Sequence, residues 1–277
     1  MGMRIATNVS SISAQRSLAN SAREMSKSFA QLSSGSRITK AADDAAGLSI
    51  SEGLKGQIRG YAQAGRNAMD GISLVQTAEG GLSEISNIMT RLRELGVQAA
   101  SDTVSDVERG FINKEVEQLK NESERIAQST RFGKVNLLDG SGGKFDFQVD
   151  INNDDFKDRI SFDASENNAT TSAIGVDGVD FSTKEGAQAA LMTLDEAQVQ
   201  INGFRASLGA IQNRLISTQD NIAVAHENLS AANSRIRDTD VAQASAEVTR
   251  NQILQAASVS VLAGANQAPQ AAMKLIG

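Results

Sequence analysis

The chain has 277 residues, a formal net charge of −6, 40% hydrophobic but only 4% aromatic side chains, one proline, one histidine, and neither cysteine nor tryptophan. Ordinary usage of about 5% would supply about 14 prolines, so the sequence nearly lacks the residue that breaks helices. The missing cysteines exclude a disulfide framework and a thiolate nucleophile, a lone histidine excludes clustered-histidine metal sites, and too few aromatics remain to line an ordinary ligand pocket.

The first residues, Met1 to Asn8, lack the apolar core of a cleavable signal peptide. Leu18, Ala22, Met25, Phe29 and Leu32 then recur at 4-3-4-3 spacing, a heptad seam, and Gly35 stands where a helix stops. A second apolar run takes in Leu54, Ile58, Tyr61, Ala68, Ile72, Val75, Leu82, Met89, Leu92 and Leu95, with Gly80-Gly81 expected to soften or kink it. Ser105 and Glu108 form a capping box that opens a short helix through Ile112, Val116, Leu119 and Ile126, ending near Ser129.

Turn residues then cluster at 139–143 and 152–155. Between them Phe145, Phe147, Val149 and Ile151 alternate with polar residues, and Ile160 and Phe162 resume the pattern, which predicts a hairpin with one apolar face. Residues 161–183 read as an exposed loop. Ser182 and Glu185 suggest a second capping box, and from Leu194 to Ile236 the 3-4 spacing runs without a skip. That helix would be about 64 Å long. The last segment, after Asp240, is rich in small residues and poor in charge, so it needs partners to hold a helix, which Pro269 is expected to stop near Asn266. No stretch approaches the roughly 18 apolar residues of a membrane span.

The expected fold is mainly α: a long antiparallel coiled-coil rod built from the N- and C-terminal regions, with a small β-hairpin in the middle. Residues 1–43 and 239–277 form terminal helices, 44–143 and 184–238 the helical core, and 144–183 the hairpin and loop. Charge follows the same division. Residues 1–45 carry Arg4, Arg16, Arg23, Lys27, Arg37 and Lys40 against Glu24, Asp43 and Asp44, while the middle is strongly acidic. Opposite signs at ends and middle ease packing between copies or serve solubility alone, and the acidic total leaves no nucleic-acid footprint.

Several long motifs occur together. Leu32–Gly47, Gln76–Gly80 and Arg91–Gln98 near the start, and Ser234–Asp240 and Gln252–Gln267 near the end, resemble the signatures of bacterial flagellins. The resemblance covers roughly residues 1–140 and 190–277. It implies a structural subunit, not an enzyme and without cofactors, that self-assembles into the flagellar filament for motility. It further implies export through a type III channel, which would explain the absent signal peptide, to an extracellular flagellum. The terminal segments of such proteins are disordered in the monomer and fold into an inner tube on assembly. Leu18, Met25, Phe29, Leu32, Ile253, Leu254, Val259 and Leu262 are the inner-tube candidates. Implied partners are further copies of the chain, an export chaperone, cap and hook-associated proteins, and a host Toll-like receptor contacting Arg91, Leu95 and Glu122. The short middle replaces the outer domains of larger relatives, and the extreme ends differ from commoner family ends.

Two rivals share parts of this pattern: a hook–filament junction protein and a monomeric coiled-coil adaptor with stably folded termini. Asp43 and Asp44, too isolated for a metal, are expected at a turn between segments, capping the next helix, with Arg235 and Arg237 as candidate partners. His226-Glu227 begins a zinc-protease pattern, but Ser230 stands where the second histidine belongs. Asn8, Asn121, Asn168 and Asn228 open three-residue sequons, and O-linked glycan on Ser165, Thr170, Thr171 or Ser172 is the favoured reading of any modification.

Overall fold

The heptad runs become helices. In a computed structural model that describes residues 7–273, and side chains to residue 267, α1 spans Val9–Ser34, α2 Ala45–Ala99, α3 Asp106–Ser129, α4 Lys184–Arg237 and α5 Val241–Met273. The chain divides into two compact units, one from the residues up to Gly56 and from Asn228 onward, the other from Gln57–Glu227.

In the second unit α2 and α4 run antiparallel. Ile222 lies against Gly65, Arg205 faces Glu79 at 4.0 Å, Gln198 donates to Ser86 at 2.7 Å, and Arg93 pairs with Asp195 at 2.6 Å. Between them Leu82, Ile85, Met89 and Leu92 of α2 meet Leu194, Ile201, Leu208 and Leu215 of α4 in one fully buried core. Gly80-Gly81 does not interrupt α2, contrary to the expected softening. A Cβ at Gly81 would come within 2.6 Å of Thr130 Oγ1 and 2.8 Å of Leu138 Cδ1, so glycine there admits a crossing segment.

α3 opens on the expected capping box, with Glu108 accepting from Ser105 N at 2.8 Å. Arg109, 6% exposed, reaches back and donates to the carbonyls of Ala99 and Ser101 at 2.8 and 2.9 Å, closing the end of α2. A two-residue-strand hairpin that the sequence reading missed follows: β1 Arg131–Phe132 and β2 Val135–Asn136, turning through Gly133 at φ +62°. The expected hairpin is β3 Lys144–Gln148 with β4 Arg159–Asp163, in a register that places Phe145 opposite Phe162 and Phe147 opposite Ile160.

Residues 161–183 are not an exposed loop. Residues 161–163 belong to β4, and 164–183 form a strap whose Ala164, Ala169, Ile174, Val176 and Phe181 are buried in the core. Three α3 side chains pin it. Glu124 accepts from Thr171 N and Oγ1 at 2.8 and 2.9 Å, Lys120 donates to the Val179 carbonyl at 3.1 Å, and Asn113 accepts from Phe181 N at 2.9 Å. The capping residue of α4 is also one place later than expected. Thr183 accepts from Gly186 N at 3.1 Å, while Ser182 is engaged by Asp180.

In the first unit α1 and α5 pack against each other, antiparallel. α1 stops at Gly35, φ +66°, as expected. α5 does not stop near Asn266. It continues past Pro269 to Met273, and the carbonyl of Ala265, which a proline at 269 cannot serve, accepts from Asn8 Nδ2 at 2.8 Å.

Leu208→Ala should destabilise the α2–α4 core by about 2–5 kcal/mol, read as a lower midpoint of helix melting. Burial pushes the Glu124 carboxyl up, but the bonds from Thr171 and Gln128 outweigh it and hold its pKa below 4.5. Its hold on the strap is therefore complete above pH 4.5 and lost as pH falls through the lower native value. The Thr171 amide resonance should titrate below pH 4.5, and Glu124→Gln should abolish that titration.

Candidate assembly surface

The α1–α5 seam is unusual in what it buries. On α1 the buried or half-buried positions include Ser11, Ala14, Leu18, Ser21, Met25, Ser28 and Leu32, at heptad spacing, with Ala22 and Gln31 half-buried beside them. On α5 they include Ala244, Val248, Asn251, Gln255, Ser258, Leu262 and Ala265. This stripe is largely small or polar, whereas an ordinary coiled coil fills such positions with large apolar side chains. Leu18, Met25, Leu32 and Leu262 lie in it, half-buried. Phe29 does not, because Ser28 takes the seam position and leaves Phe29 49% exposed. The sequence reading placed Ala22 and Phe29 in this seam; Ala22 lies half-buried beside Ser21, whereas Ser28 takes the place expected for Phe29.

Eight large apolar residues are left outside the seam. Val9, Ile12 and Phe29 on α1, and Val241, Ile253, Leu254, Val259 and Val261 on α5, are all exposed, Ile253 by 64%. They lie on the flanks of two helices whose contact with each other is already made.

The connections at the far end of this pair are backbone bonds. Ser36 bridges Asp238, Thr239 N donates to the Gly35 carbonyl at 3.0 Å, and Arg37 N donates to the Arg237 carbonyl at 2.6 Å. Asp43 holds the following turn, accepting from Thr39 Oγ1 at 2.9 Å, Lys40 N at 3.0 Å and Thr39 N at 3.1 Å. The Thr39 hydroxyl and the Lys40 amide keep its carboxyl below the ordinary value of 3.8. Asp44 caps α2, as expected, by accepting from Gly47 N at 2.8 Å, and a Cβ on Gly47 would strike that carboxylate at 2.3 Å.

Neither aspartate meets Arg235 or Arg237. Arg237 pairs instead with Glu52 on the first turns of α2, and holds that carboxyl below its usual range. No motif marks Glu52 in the sequence; only the fold brings it opposite Arg237. Arg235 is exposed and lines a groove with Lys27, Arg37, Glu24 and Asp240.

The three receptor candidates do not share a surface. Arg91 is exposed and pairs with Glu115 at 2.9 Å and Glu94 at 3.1 Å, and Glu122 pairs with Arg125 at 2.6 Å. Leu95 is 2% exposed and belongs to the core. Of the glycan candidates, Ser165 and Ser172 are exposed, Thr170 is half-buried, and Thr171 is buried with its hydroxyl given to Glu124. His226 is half-buried on α4. Among the described residues no three His, Cys, Asp or Glu side chains are placed to hold a metal, and no helix is long and apolar enough to cross a membrane.

Known proteins share this plan. The family models for the bacterial flagellin N-terminal and C-terminal helical regions match residues 5–142 and 191–276. The chain is 41% identical to a flagellin of Halalkalibacterium halodurans, over 99% of this chain and 100% of that one. It is 40% identical to a flagellar filament core protein of Brachyspira hyodysenteriae, again over 99% and 100%. The crystal structure of Bacillus cereus flagellin is similar, with 31% identity and a TM-score of 0.51, covering 61% of this chain and 94% of that one. A putative flagellar hook-associated protein from Vibrio parahaemolyticus shares the fold alone, with 14% identity and a TM-score of 0.60 over 71% of this chain and 100% of that one. Both terminal regions, in order, and near-complete coverage of relatives at this identity place the chain in the bacterial flagellin family.

Proposed function

We propose that this chain is a structural subunit of the bacterial flagellar filament, in which copies assemble through the exposed apolar flanks of α1 and α5 to form the filament's inner tube. One observation carries this reading: the α1–α5 seam is largely small and polar, while eight large apolar side chains of the two helices stay exposed. Such a pair satisfies its own backbone and leaves its hydrophobic driving force for neighbours.

Magnitudes favour many small contacts over one large one. Fully burying a Val, Leu, Ile or Phe side chain contributes roughly 1.5–3 kcal/mol, and these eight are already partly covered, so each offers about 1 kcal/mol. Association costs an estimated 4–15 kcal/mol. Two or three such residues fall below even the lower end of that cost, whereas the full set reaches about 8 kcal/mol on each copy, and both copies at a contact contribute. Heterologous contacts that fail to close then extend into a fibre. A monomeric adaptor gains nothing from such flanks, and a junction ring requires the same contacts to close. Export through the flagellar channel to an extracellular filament accords with family membership.

Salt-induced polymerisation, followed by sedimentation and negative-stain microscopy, should give long filaments. Ile253→Ser with Leu254→Ser should raise the critical concentration at least tenfold without shifting the melting of the α2–α4 core. Short rings would favour the junction protein, and an unpolymerised chain with protease-resistant ends the adaptor.

A further inference from the structure

Pro269 lies inside α5, four positions beyond Ala265. In a regular helix the carbonyl of residue 265 accepts from the N–H of residue 269, and proline has none. Asn8 supplies the missing donor, with its Nδ2 2.8 Å from the Ala265 carbonyl in a partly buried setting. The other half of the same amide is also engaged. Asn8 Oδ1 accepts from Ser11 N at 3.1 Å, so Asn8 is the cap of α1. Beside it the buried Ser11 donates through Oγ to Asn266 Oδ1 at 2.9 Å.

We propose that Asn8 and Pro269 form a register key for the α1–α5 pair. The proline opens a single carbonyl on α5, and the cap of α1 fills it. Asparagine suits both tasks, since it carries an acceptor for the cap and a donor for the partner helix, whereas aspartate has no donor and serine has a shorter reach. Carbonyls in the interior of a regular helix are satisfied within that helix, so a slip of α5 along α1 would leave the Ala265 carbonyl empty and give Asn8 Nδ2 no equivalent acceptor. A seam of small and polar side chains resists sliding weakly, because it has few large knobs to fix its holes. The key supplies the alignment that packing leaves open, much as one buried asparagine fixes register in a coiled coil.

The opposite end agrees. There the Thr239 amide is bonded to the Gly35 carbonyl and Ser36 bridges Asp238. The spans 8–35 and 239–265 have the same length to within a residue, so both ends engage in one alignment. The inference goes beyond the filament reading, because it concerns a helix pair within one chain.

Amide hydrogen exchange, followed by mass spectrometry on the full-length protein in polymerisation buffer, tests it through peptides covering 9–14 and 258–267. Asn8→Ser retains a capping side chain of equal rank, but its hydroxyl is too short to reach the Ala265 carbonyl. It should speed exchange in both peptides about tenfold, the order expected when a partly buried carbonyl loses its donor. In a Pro269→Ala background the N–H at position 269 is restored, and Asn8→Ser should then change exchange less than about twofold. Asn8→Asp should behave like Asn8→Ser in both backgrounds. Equal acceleration with and without the proline, or none in either, would overturn the key, as would a wild-type pair without protection. Sedimentation of the same samples reports polymerisation separately, so a failure to form filaments counts against the filament reading alone.

Discussion

The direction in which each long helix points its apolar stripe governs the rest of this molecule. α2 and α4 turn theirs toward each other, so Leu82, Met89 and Leu92 lock against Leu194, Ile201 and Leu208 and the second unit is complete in itself. α1 and α5 do the reverse. They meet largely through serines, alanines, Asn251 and Gln255, with Leu18, Met25, Leu32, Val248 and Leu262 interspersed, and hold Phe29, Ile253, Leu254 and Val259 outside. One chain therefore contains a self-sufficient helical core and a helix pair whose hydrophobic surface is unspent.

This division relates stability to assembly. Burial within the chain secures α2–α4, and the strap pinned by Asn113, Lys120 and Glu124 covers the core without adding a domain. The terminal pair gains little hydrophobic stabilisation from its own seam. Its alignment rests on polar bonds at its two ends, from Asn8 and Ser11 at one and from Gly35, Ser36 and Arg37 at the other. Polar bonds define geometry well and contribute modest net free energy, about 1 kcal/mol each. Such a pair is well placed to order fully when neighbours cover its flanks.

Much of this was legible in the residues. Unbroken 3-4 spacing gave α4, Ser105 and Glu108 gave the start of α3, Gly35 the end of α1, and alternation about Phe145 and Phe162 the larger hairpin. Each signal is local, and local chemistry decides it. The misreadings share a cause in long-range contacts. The strap from 164 to 183 looked exposed because its buried residues, Ala169, Ile174, Val176 and Phe181, follow no period; α3, distant in sequence, holds them. Gly81 looked like a hinge because Thr130 and Leu138, which cross it, are invisible in the local sequence. In the candidate site the helices of the assembly surface were legible but their facing was not. Spacing alone cannot choose Phe29 over Ser28, and hydrophobicity favours the wrong one when a protein keeps its apolar side chains for other copies. Arg237 was expected to meet Asp43 or Asp44, and it pairs instead with Glu52, which carried no mark. Pro269 looked like a stop because the donor that replaces its N–H comes from Asn8, at the other end of the chain.

The most direct test of this account is the change in accessibility of the α5 flank on polymerisation. The chain has no cysteine, so a single Ile253→Cys substitution gives an unambiguous thiol, and its rate of alkylation can be compared in dissociated and polymerised protein. The account predicts rapid labelling in the dissociated chain and at least tenfold protection in the filament, with Ser172→Cys on the exposed side of the strap as an unprotected control. Equal labelling of position 253 in both states would show that the flank stays open in the filament, and would contradict the claim that its burial between copies drives assembly.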